Sequence, residues 1–311
     1  MYLDLHKKFK TKEMKITVTG SLGNISRILI EKLVAGGHNV KVITSNASRV
    51  AEIEQLQAVP LVGSVEDYDF VKDAFAGSEA VYLMIPPSYG ATDVKQYIKT
   101  IGEQYASAIK QTGVKYVVNL SSVGAHLENG LGPTGANYYV EQQLNKLEGV
   151  NVLHLRPGMF LTNFYGAIPM MKYHSMLGNN FSGAVRLPLT HPADIANAAF
   201  NALNDLSITG KQVQYVVSDE QDGFSIVETL SRAIGNPDVK WVEFSDDQLL
   251  GALTQNGFSA QMAKVYMVEI GVALRDGSFM EHYNKNKVAA TGITTLQEFA
   301  KEFTIAYQYS N

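Results

Sequence analysis

Short apolar runs alternate with amphipathic stretches through the first half of the chain. Lys15–Thr19 is a β-branched run, and Ile25–Ala35 repeats apolar residues at helical spacing until Gly36-Gly37 breaks it. Val40–Thr44 predicts a second strand, Ala47–Leu56 a helix and Ala58–Val62 a third strand. Glu66–Phe75 is helical, ended by Gly77. Ala80–Ile85 is almost continuously apolar and stops at Pro86-Pro87, as expected of a strand buried on both faces. Asp93–Gln111 is a long helix closed by Gly113; Tyr116–Leu120 follows as a strand, Tyr138–Leu147 as a helix and Val152–Leu155 as a sixth strand. Six strands separated by helices predict an α/β fold with a doubly wound parallel Rossmann sheet in the order 3-2-1-4-5-6.

The second half is less regular. Pro192 stands at the first position of a helix over Ala193–Leu203. Gln212–Val217 reads as a seventh strand, and Ser225 with Glu228 reads as a capping box before a helix that Gly235 ends. A short strand is expected over 239–244, helices over Asp246–Asn256 and Ala260–Leu274, and a last helix capped by Thr295 and Glu298. The expected division is an N-terminal extension (1–13), a dinucleotide-type domain (14–160) and a smaller, mostly helical C-terminal lobe (161–311). That lobe would return the strand near 212–217 to the first domain and cover the sheet's carboxyl edge, where ligands bind.

Composition narrows the function. The chain has 311 residues, a net charge of −4 and no cysteine. Disulfides, thiol catalysis and cysteine-ligated zinc are excluded. No Lys/Arg cluster beyond the first dozen residues marks a nucleic-acid face. No apolar run reaches the ~18 residues of a membrane span, and Met1–Lys12 lacks the apolar core of a secretory signal. A cytoplasmic protein, monomer or homodimer, acting on a small molecule is the expectation.

The chemistry starts at the first turn. Gly20-Ser21-Leu22-Gly23-Asn24-Ile25-Ser26 sits between a strand and a helix. That arrangement aims backbone N–H groups and the helix dipole at a pyrophosphate. Ser26 takes the place of a third glycine and is small enough for it. At the adenosine end, strand two finishes in Thr44-Ser45-Asn46 without an acid for the ribose. Ser45, Asn46 and Arg49 are candidates for a 2′-phosphate, and Ser64 with Val65 for the adenine. The nicotinamide end should be lined by Met84, Ile85, Pro86 and Pro87, by Ser121, and by Pro157, Gly158, Met159 and Phe160. Ser121 and Ser122 offer hydroxyls to a substrate carbonyl or to their own loop.

A proton donor is harder to find. A tyrosine acid needs a cation one helical turn on, to lower its pKa from about 10. Tyr138 and Tyr139 are followed at that spacing by Gln142 and Gln143. They read as pocket or packing residues instead. The histidines do not form a metal motif: His126 is expected in an exposed loop, His174 and His191 are scattered, and His282 lies in an aromatic stretch that reads as core or lid.

These segments resemble the NmrA-like family of atypical short-chain dehydrogenases/reductases. The resemblance rests on Lys15–Gly23, on Asn119-Leu120-Ser121-Ser122-Val123-Gly124-Ala125-His126, on Glu141 with Leu144, on Leu155-Arg156-Pro157-Gly158-Met159-Phe160 with Asn163, and on Pro192-Ala193-Asp194-Ile195-Ala196. It implies an NAD(P)-binding domain whose cleft is shared with the C-terminal lobe. Family members include quinone, enone and isoflavone-like reductases, and sensors that bind the dinucleotide without turnover. Two positions depart from the family pattern. The arginine that grips the 2′-phosphate just after strand two is Ser45 here, and the lysine of reductase members is Asn137. Three functions follow in order. The first is an oxidoreductase for a small quinone, enone or carbonyl, using NADP or NAD, with Arg49 leaning the choice to NADP and with Ser121, Asn137 and Tyr138 at the reacting end. The second is a non-catalytic redox sensor. A sugar-nucleotide epimerase or dehydratase comes last, because it requires the absent Tyr-x-x-x-Lys pair.

Overall fold

A computed structural model describes residues 13–287 and 292–310. The expectation for 1–13 therefore lies outside the described residues, except at Glu13. In the first half β1 (Lys15–Val18), α1 (Ser26–Ala35), β2 (Asn39–Thr44), α2 (Val50–Gln55), β3 (Val59–Val62), α3 (Tyr68–Phe75), β4 (Ala80–Leu83), α4 (Val94–Thr112), β5 (Tyr116–Leu120), α5 (Thr134–Asn145) and β6 (Asn151–Pro157) alternate as predicted. The second half contains β7 (Met159–Phe160), α6 (Ile168–His174), β8 (Met176–Asn179), β9 (Arg186–Thr190), α7 (Pro192–Asp205), β10 (Lys211–Val216), β11 (Asp219–Asp222), α8 (Gly223–Ile234), β12 (Lys240–Glu243) and α9 (Asp246–Gln255). It ends in α10 (Ala260–Ala263), α11 (Glu269–Arg275), α12 (Glu281–Lys285) and α13 (Leu296–Tyr309), with a π-helical turn over Lys264–Val268 joining α10 to α11.

The main sheet is parallel throughout and runs β10-β6-β5-β4-β1-β2-β3. This is the predicted order with the seventh strand added beside the sixth. Both faces are covered. Apolar residues of α1, α2 and α7 fill one side, including Leu29, Ile53 and Ile195. Residues of α3, α4 and α5 fill the other, including Phe75, Tyr105 and Val140. Burial on both faces explains why β4 is apolar at every position. Two lysines close helix ends from neighbouring strands. Lys41 Nζ donates to the Ala74 and Ala76 carbonyls, and Lys211 Nζ to those of Leu144, Leu147 and Val150. A cation at a helix C-terminus satisfies orphan carbonyls and complements the dipole. Burial lowers the pKa of both lysines.

The C-terminal lobe has its own core around Phe181, Leu230, Phe299 and Phe303. It is mostly helical, with two small sheets: β11-β9-β7 and β12-β8. Asp194 opens α7 and is buried; its Oδ2 accepts from Ser218 Oγ at 2.6 Å and from the Thr294 amide at 3.1 Å. Among the described residues no helix is long and apolar enough to cross a membrane.

Some boundaries moved for identifiable reasons. α5 begins at Thr134, not Tyr138: Pro133 at the cap position already has helical φ and ψ and leads the chain into the first turn with no side-chain cap. The predicted capping box at Ser225 is wrong. Asp222 is the cap and accepts from the Ser225 amide at 2.8 Å, so Ser225 lies inside the first turn. The Thr295/Glu298 box is present as predicted.

The approach of α4 to α5 depends on one missing side chain. A Cβ on Gly102 would collide with Val140 Cγ2. Gly102→Leu is expected to cost about 2 kcal/mol, within the usual 1–3 kcal/mol for overpacking a tight core. Urea denaturation followed by circular dichroism reads this, and an unchanged midpoint would contradict the packing.

Candidate functional site

The first turn adopts the geometry its glycines allow. Gly20 has φ +88° and Ser21 φ +51°, and the Gly23 amide donates to the Gly20 carbonyl at 3.1 Å. Ser26 replaces the third glycine with a bond of its own: its Oγ donates to the Thr19 carbonyl at 2.9 Å, fastening α1 to the end of β1. A Cβ on Gly20 would lie 2.7 Å from that oxygen, and a Cβ on Gly23 3.2 Å from the Gly20 carbonyl. Two features leave the turn open to an anion. α1 has Ile25 at its cap position, so no side chain satisfies its first N–H groups. The Ser21 hydroxyl is buried with no hydrogen-bond partner among the described residues. A buried donor without a partner is costly unless a ligand supplies the acceptor. A pyrophosphate fits this cradle.

The adenosine end is more exposed. Ser45 and Asn46 lie on the surface, and Asn46 Oδ1 is taken by the Ser48 amide and hydroxyl. Arg49 is half-buried and has no ion-pair partner among the described residues. Ser64 is exposed and accepts from the Glu66 amide, while Val65 turns into the core. A depression of about 360 Å³ lies beside this loop, lined by Glu66, Asp93, Tyr97, Ile101 and Gln104 among others. Burial pushes the Tyr97 phenol up to about 12.

Met84 connects the turn to β4. Thr19 Oγ1 accepts from the Met84 amide at 2.6 Å and donates to its carbonyl at 3.0 Å, and Tyr105 Oη donates to the same carbonyl. The Met84 side chain reaches over Gly20. Ile85 packs against the core below, and Pro86 and Pro87 lead outward to the exposed Tyr89. Pro157 and Gly158 are buried. The Gly158 Cα lies against the Pro188 carbonyl and its amide donates to Thr190 Oγ1 at 2.9 Å, so close packing on β9 explains this glycine. Met159 and Phe160 pair with β9 as β7.

Beyond β5 the structure brings together groups that lie apart in sequence. Ser121 Oγ donates to Glu141 Oε1 at 2.5 Å. Arg156 grips the same carboxylate with Nε at 3.0 Å and Nη2 at 2.6 Å, and also donates to the Ala125 carbonyl. Glu141 and Arg156 side chains are 2% and 7% exposed. A buried bidentate pair of this kind fixes geometry. Asn137 and Tyr138 precede Glu141 on α5 by four and three residues, which places them one turn towards the helix start on the face that Glu141 presents to Ser121. Neither side chain has a hydrogen-bond partner among the described residues. Tyr139 is not a pocket residue: its hydroxyl binds Glu103 and Lys99 Nζ stands 5.4 Å over its ring, both on α4. Ser122 bonds its own loop, donating to the Val123 carbonyl. Lys146 is directed to Gln143 at the far end of α5.

The network continues into the lobe. Arg156 Nη1 donates to Tyr215 Oη at 3.4 Å, and Tyr215 Oη lies 2.6 Å from His282 Nδ1. His126 is half-buried rather than in an exposed loop, and stacks on His282 with ring centres 5.4 Å apart. Burial lowers the pKa of both histidines. Tyr215 and His282 were not legible as partners of Arg156, because no local pattern joins β6, β10 and α12. A second contact of the same kind is Glu269 on α11, which pairs with Lys95 of α4 at 2.6 Å and accepts from the Gly132 amide at 2.8 Å. Among the described residues no cluster of His, Asp and Glu is arranged to hold a metal.

Known structures share this architecture. An NADPH-dependent quinone oxidoreductase from Escherichia coli, solved with NADPH, aligns with a TM-score of 0.78 at 20% identity, over 92% of this chain and 99% of that one. Triphenylmethane reductase from Citrobacter sp., complexed with NADP(H), gives 0.76 at 17% identity over 93% and 99%. NmrA, a negative transcriptional regulator in complex with NADP, gives 0.68 at 15% identity over 96% and 94%. An epimerase family protein homolog of Arabidopsis thaliana, chloroplastic, is 27% identical over 231 residues, and sterol demethylase protein B of Methylococcus capsulatus is 27% identical over 128. The chain spans less than two-thirds of these curated relatives, 65% and 38%. The NmrA-like family model matches residues 12–300, from the strand before the glycine turn into the last helix, and the chain belongs to that family.

Proposed function

We propose that this protein binds NADP(H) across its glycine turn and reduces a small electrophilic substrate, a quinone, enone or carbonyl compound, in the cytoplasm. The observation that carries the reading is the buried, unpartnered Ser21 hydroxyl beside an uncapped helix N-terminus. In this reading Gly20–Ile25 hold the pyrophosphate, Arg49 with Ser45 meets the 2′-phosphate, and Ser64 with the backbone of Val65 borders the adenine. The dinucleotide, when bound, supplies a hydride. Met84–Pro87 and Ser121 border its nicotinamide end, and Asn137 and Tyr138 face the substrate. The relatives solved with NADPH or NADP(H), one of them a quinone oxidoreductase, support the cofactor and the substrate class.

Ser121 is poorly placed to deliver a proton, because its hydroxyl is directed at the Glu141 carboxylate. Asn137 offers an amide in place of a cation and can orient a carbonyl oxygen by donating to it. A quinone suits such a site, since its reduced oxygens can take protons from water. The alternative, a dinucleotide sensor, is favoured by that same lack of a cation and by the regulator among the solved relatives.

Two measurements test the reading. NADPH and NADH are titrated into the wild-type protein and Arg49→Ala. A charge-assisted Arg–phosphate contact is worth more than a neutral one, so the variant is expected to lose roughly tenfold in NADPH affinity, about 1.4 kcal/mol, with NADH unchanged. Equal losses for both would remove Arg49 from the 2′-phosphate. Quinone turnover by Tyr138→Phe is expected to stay above about a tenth of wild type, less than the 10²–10⁴-fold contribution of a general acid. A thousand-fold fall in kcat with NADPH binding intact would make Tyr138 the acid.

A further inference from the structure

The hydrogen-bond directions around Tyr215 are set by its neighbours. Arginine only donates, so Arg156 Nη1 places a hydrogen on Tyr215 Oη. The same oxygen lies 2.6 Å from His282 Nδ1, where a ring nitrogen with a lone pair takes the phenol proton. The Asn286 side-chain amide also approaches Nδ1, at 3.3 Å. A neutral His282 with its proton on Nε2 is the form that accepts from both Tyr215 and Asn286. A continuous run of hydrogen bonds then links Ser121, Glu141, Arg156, Tyr215 and His282.

We propose that His282, carried on α12 of the C-terminal lobe, is a positioning residue for the reacting end of the cleft. As a neutral acceptor it anchors Tyr215, and through Tyr215 and Arg156 it holds Glu141 and the Ser121 hydroxyl in place. The part concerning turnover rests on the reductase reading above. The charged and titratable groups acting on the His282 ring are Tyr215 from β10, Arg156 from β6, Glu141 from α5, His126 from the loop after β5, and Lys285 on its own helix. Glu281 and Tyr283 flank it in sequence, Glu281 paired with Lys285 and Tyr283 packed edge-on to Tyr215. Protonating His282 removes the acceptor and adds a positive charge near Arg156 and against His126. Burial and Arg156 both hold the ring below its usual pKa, so this loss sets in only on the acid side of 6.5. A lobe that docks correctly thus reports its position to Ser121 through one unbroken set of bonds.

The test compares the wild-type protein with His282→Asn, His282→Ala and Tyr215→Phe. Asparagine keeps an acceptor, Oδ1, in the place of Nδ1 but does not titrate. NADPH affinity, and kcat and KM for 1,4-naphthoquinone, are measured from about pH 5 to about pH 8, across the ordinary histidine range. Wild-type kcat is expected to fall on the acid side. His282→Asn should keep kcat near neutrality within about twofold and lose the His282 part of the acid limb. His282→Ala and Tyr215→Phe should lose about tenfold in kcat at all pH, less than the 10²-fold a ~1 Å misplacement can cost, with NADPH affinity and KM unchanged. An acid limb unaltered in His282→Asn, or full kcat in His282→Ala, would overturn the proposal. A readout without turnover accompanies these. In the cofactor-free protein the backbone amide resonances of Ser121 and Glu141 should shift with the His282 titration, and should not in His282→Asn. Absence of that coupling sinks the proposal whatever the substrate. Coupling in a protein that reduces no quinone would sustain it as a structural link and refute the reductase reading alone.

Discussion

Glu141 and Arg156 bury opposite charges side by side at the carboxyl edge of the sheet, and that pairing joins α5, β6, β10 and the loop after β5. Glu141 belongs to α5, Arg156 to β6, and their other partners are Ser121 after β5, the Ala125 carbonyl and Tyr215 of β10. Two charges removed from water are tolerated only when the remaining lone pairs and hydrogens are satisfied, and here the Ser121 hydroxyl and the second guanidinium nitrogen complete the set. Breaking such a pair leaves an uncompensated charge, at a typical cost of about 3–5 kcal/mol. The site therefore has little freedom to rearrange: α5 cannot slide along β5 and β6 without stranding a carboxylate. His154 beside it is held neutral, its pKa lowered by burial to about 4, and bridges Asn119 of β5 and Asn145 at the end of α5.

The glycine turn works on a different principle. It is held by backbone and hydroxyl bonds between β1, β4 and α1, with Thr19 at the junction and Ser26 in place of a third glycine. The Ser21 hydroxyl has no partner among the described residues, whereas the Ser121 hydroxyl and the Arg156 guanidinium are bonded to Glu141. The two regions differ accordingly. One leaves bonding capacity for an anion and the other is closed on itself; in the proposed reading they serve the two ends of a dinucleotide cleft. Asn137 stands one helical turn before Glu141 on α5; in the proposed reading it offers an amide to the substrate where the resemblance implies a lysine in the reductases.

Most of the fold was legible in the sequence because its signals are local. β4 is apolar at every position, Gly113 and Gly235 close helices in the left-handed conformation, and Thr295 with Glu298 caps the last helix. The glycine turn was legible for the same reason, since strand, turn and helix are contiguous. The Glu141 network was not. Its bonds join residues 15, 20, 59 and 67 positions apart, and no periodicity connects them. Even the family resemblance, which quotes both Glu141 and Arg156, does not show that they meet. Ser225 misled because an Asp three residues earlier competes for the same cap. His126 misled because a loop histidine is ordinarily exposed, and only the folded lobe supplies His282 to cover it.

The claim on which the account stands is that the glycine turn is built to receive a pyrophosphate. Calorimetric titration of NADPH into the wild-type protein and into Gly23→Val tests it most directly. One saturable site per chain is expected in the wild type. The valine, whose Cβ falls 3.2 Å from the Gly20 carbonyl, should abolish binding in a protein whose circular dichroism spectrum is unchanged. Equal NADPH affinity in a folded Gly23→Val variant would contradict the account.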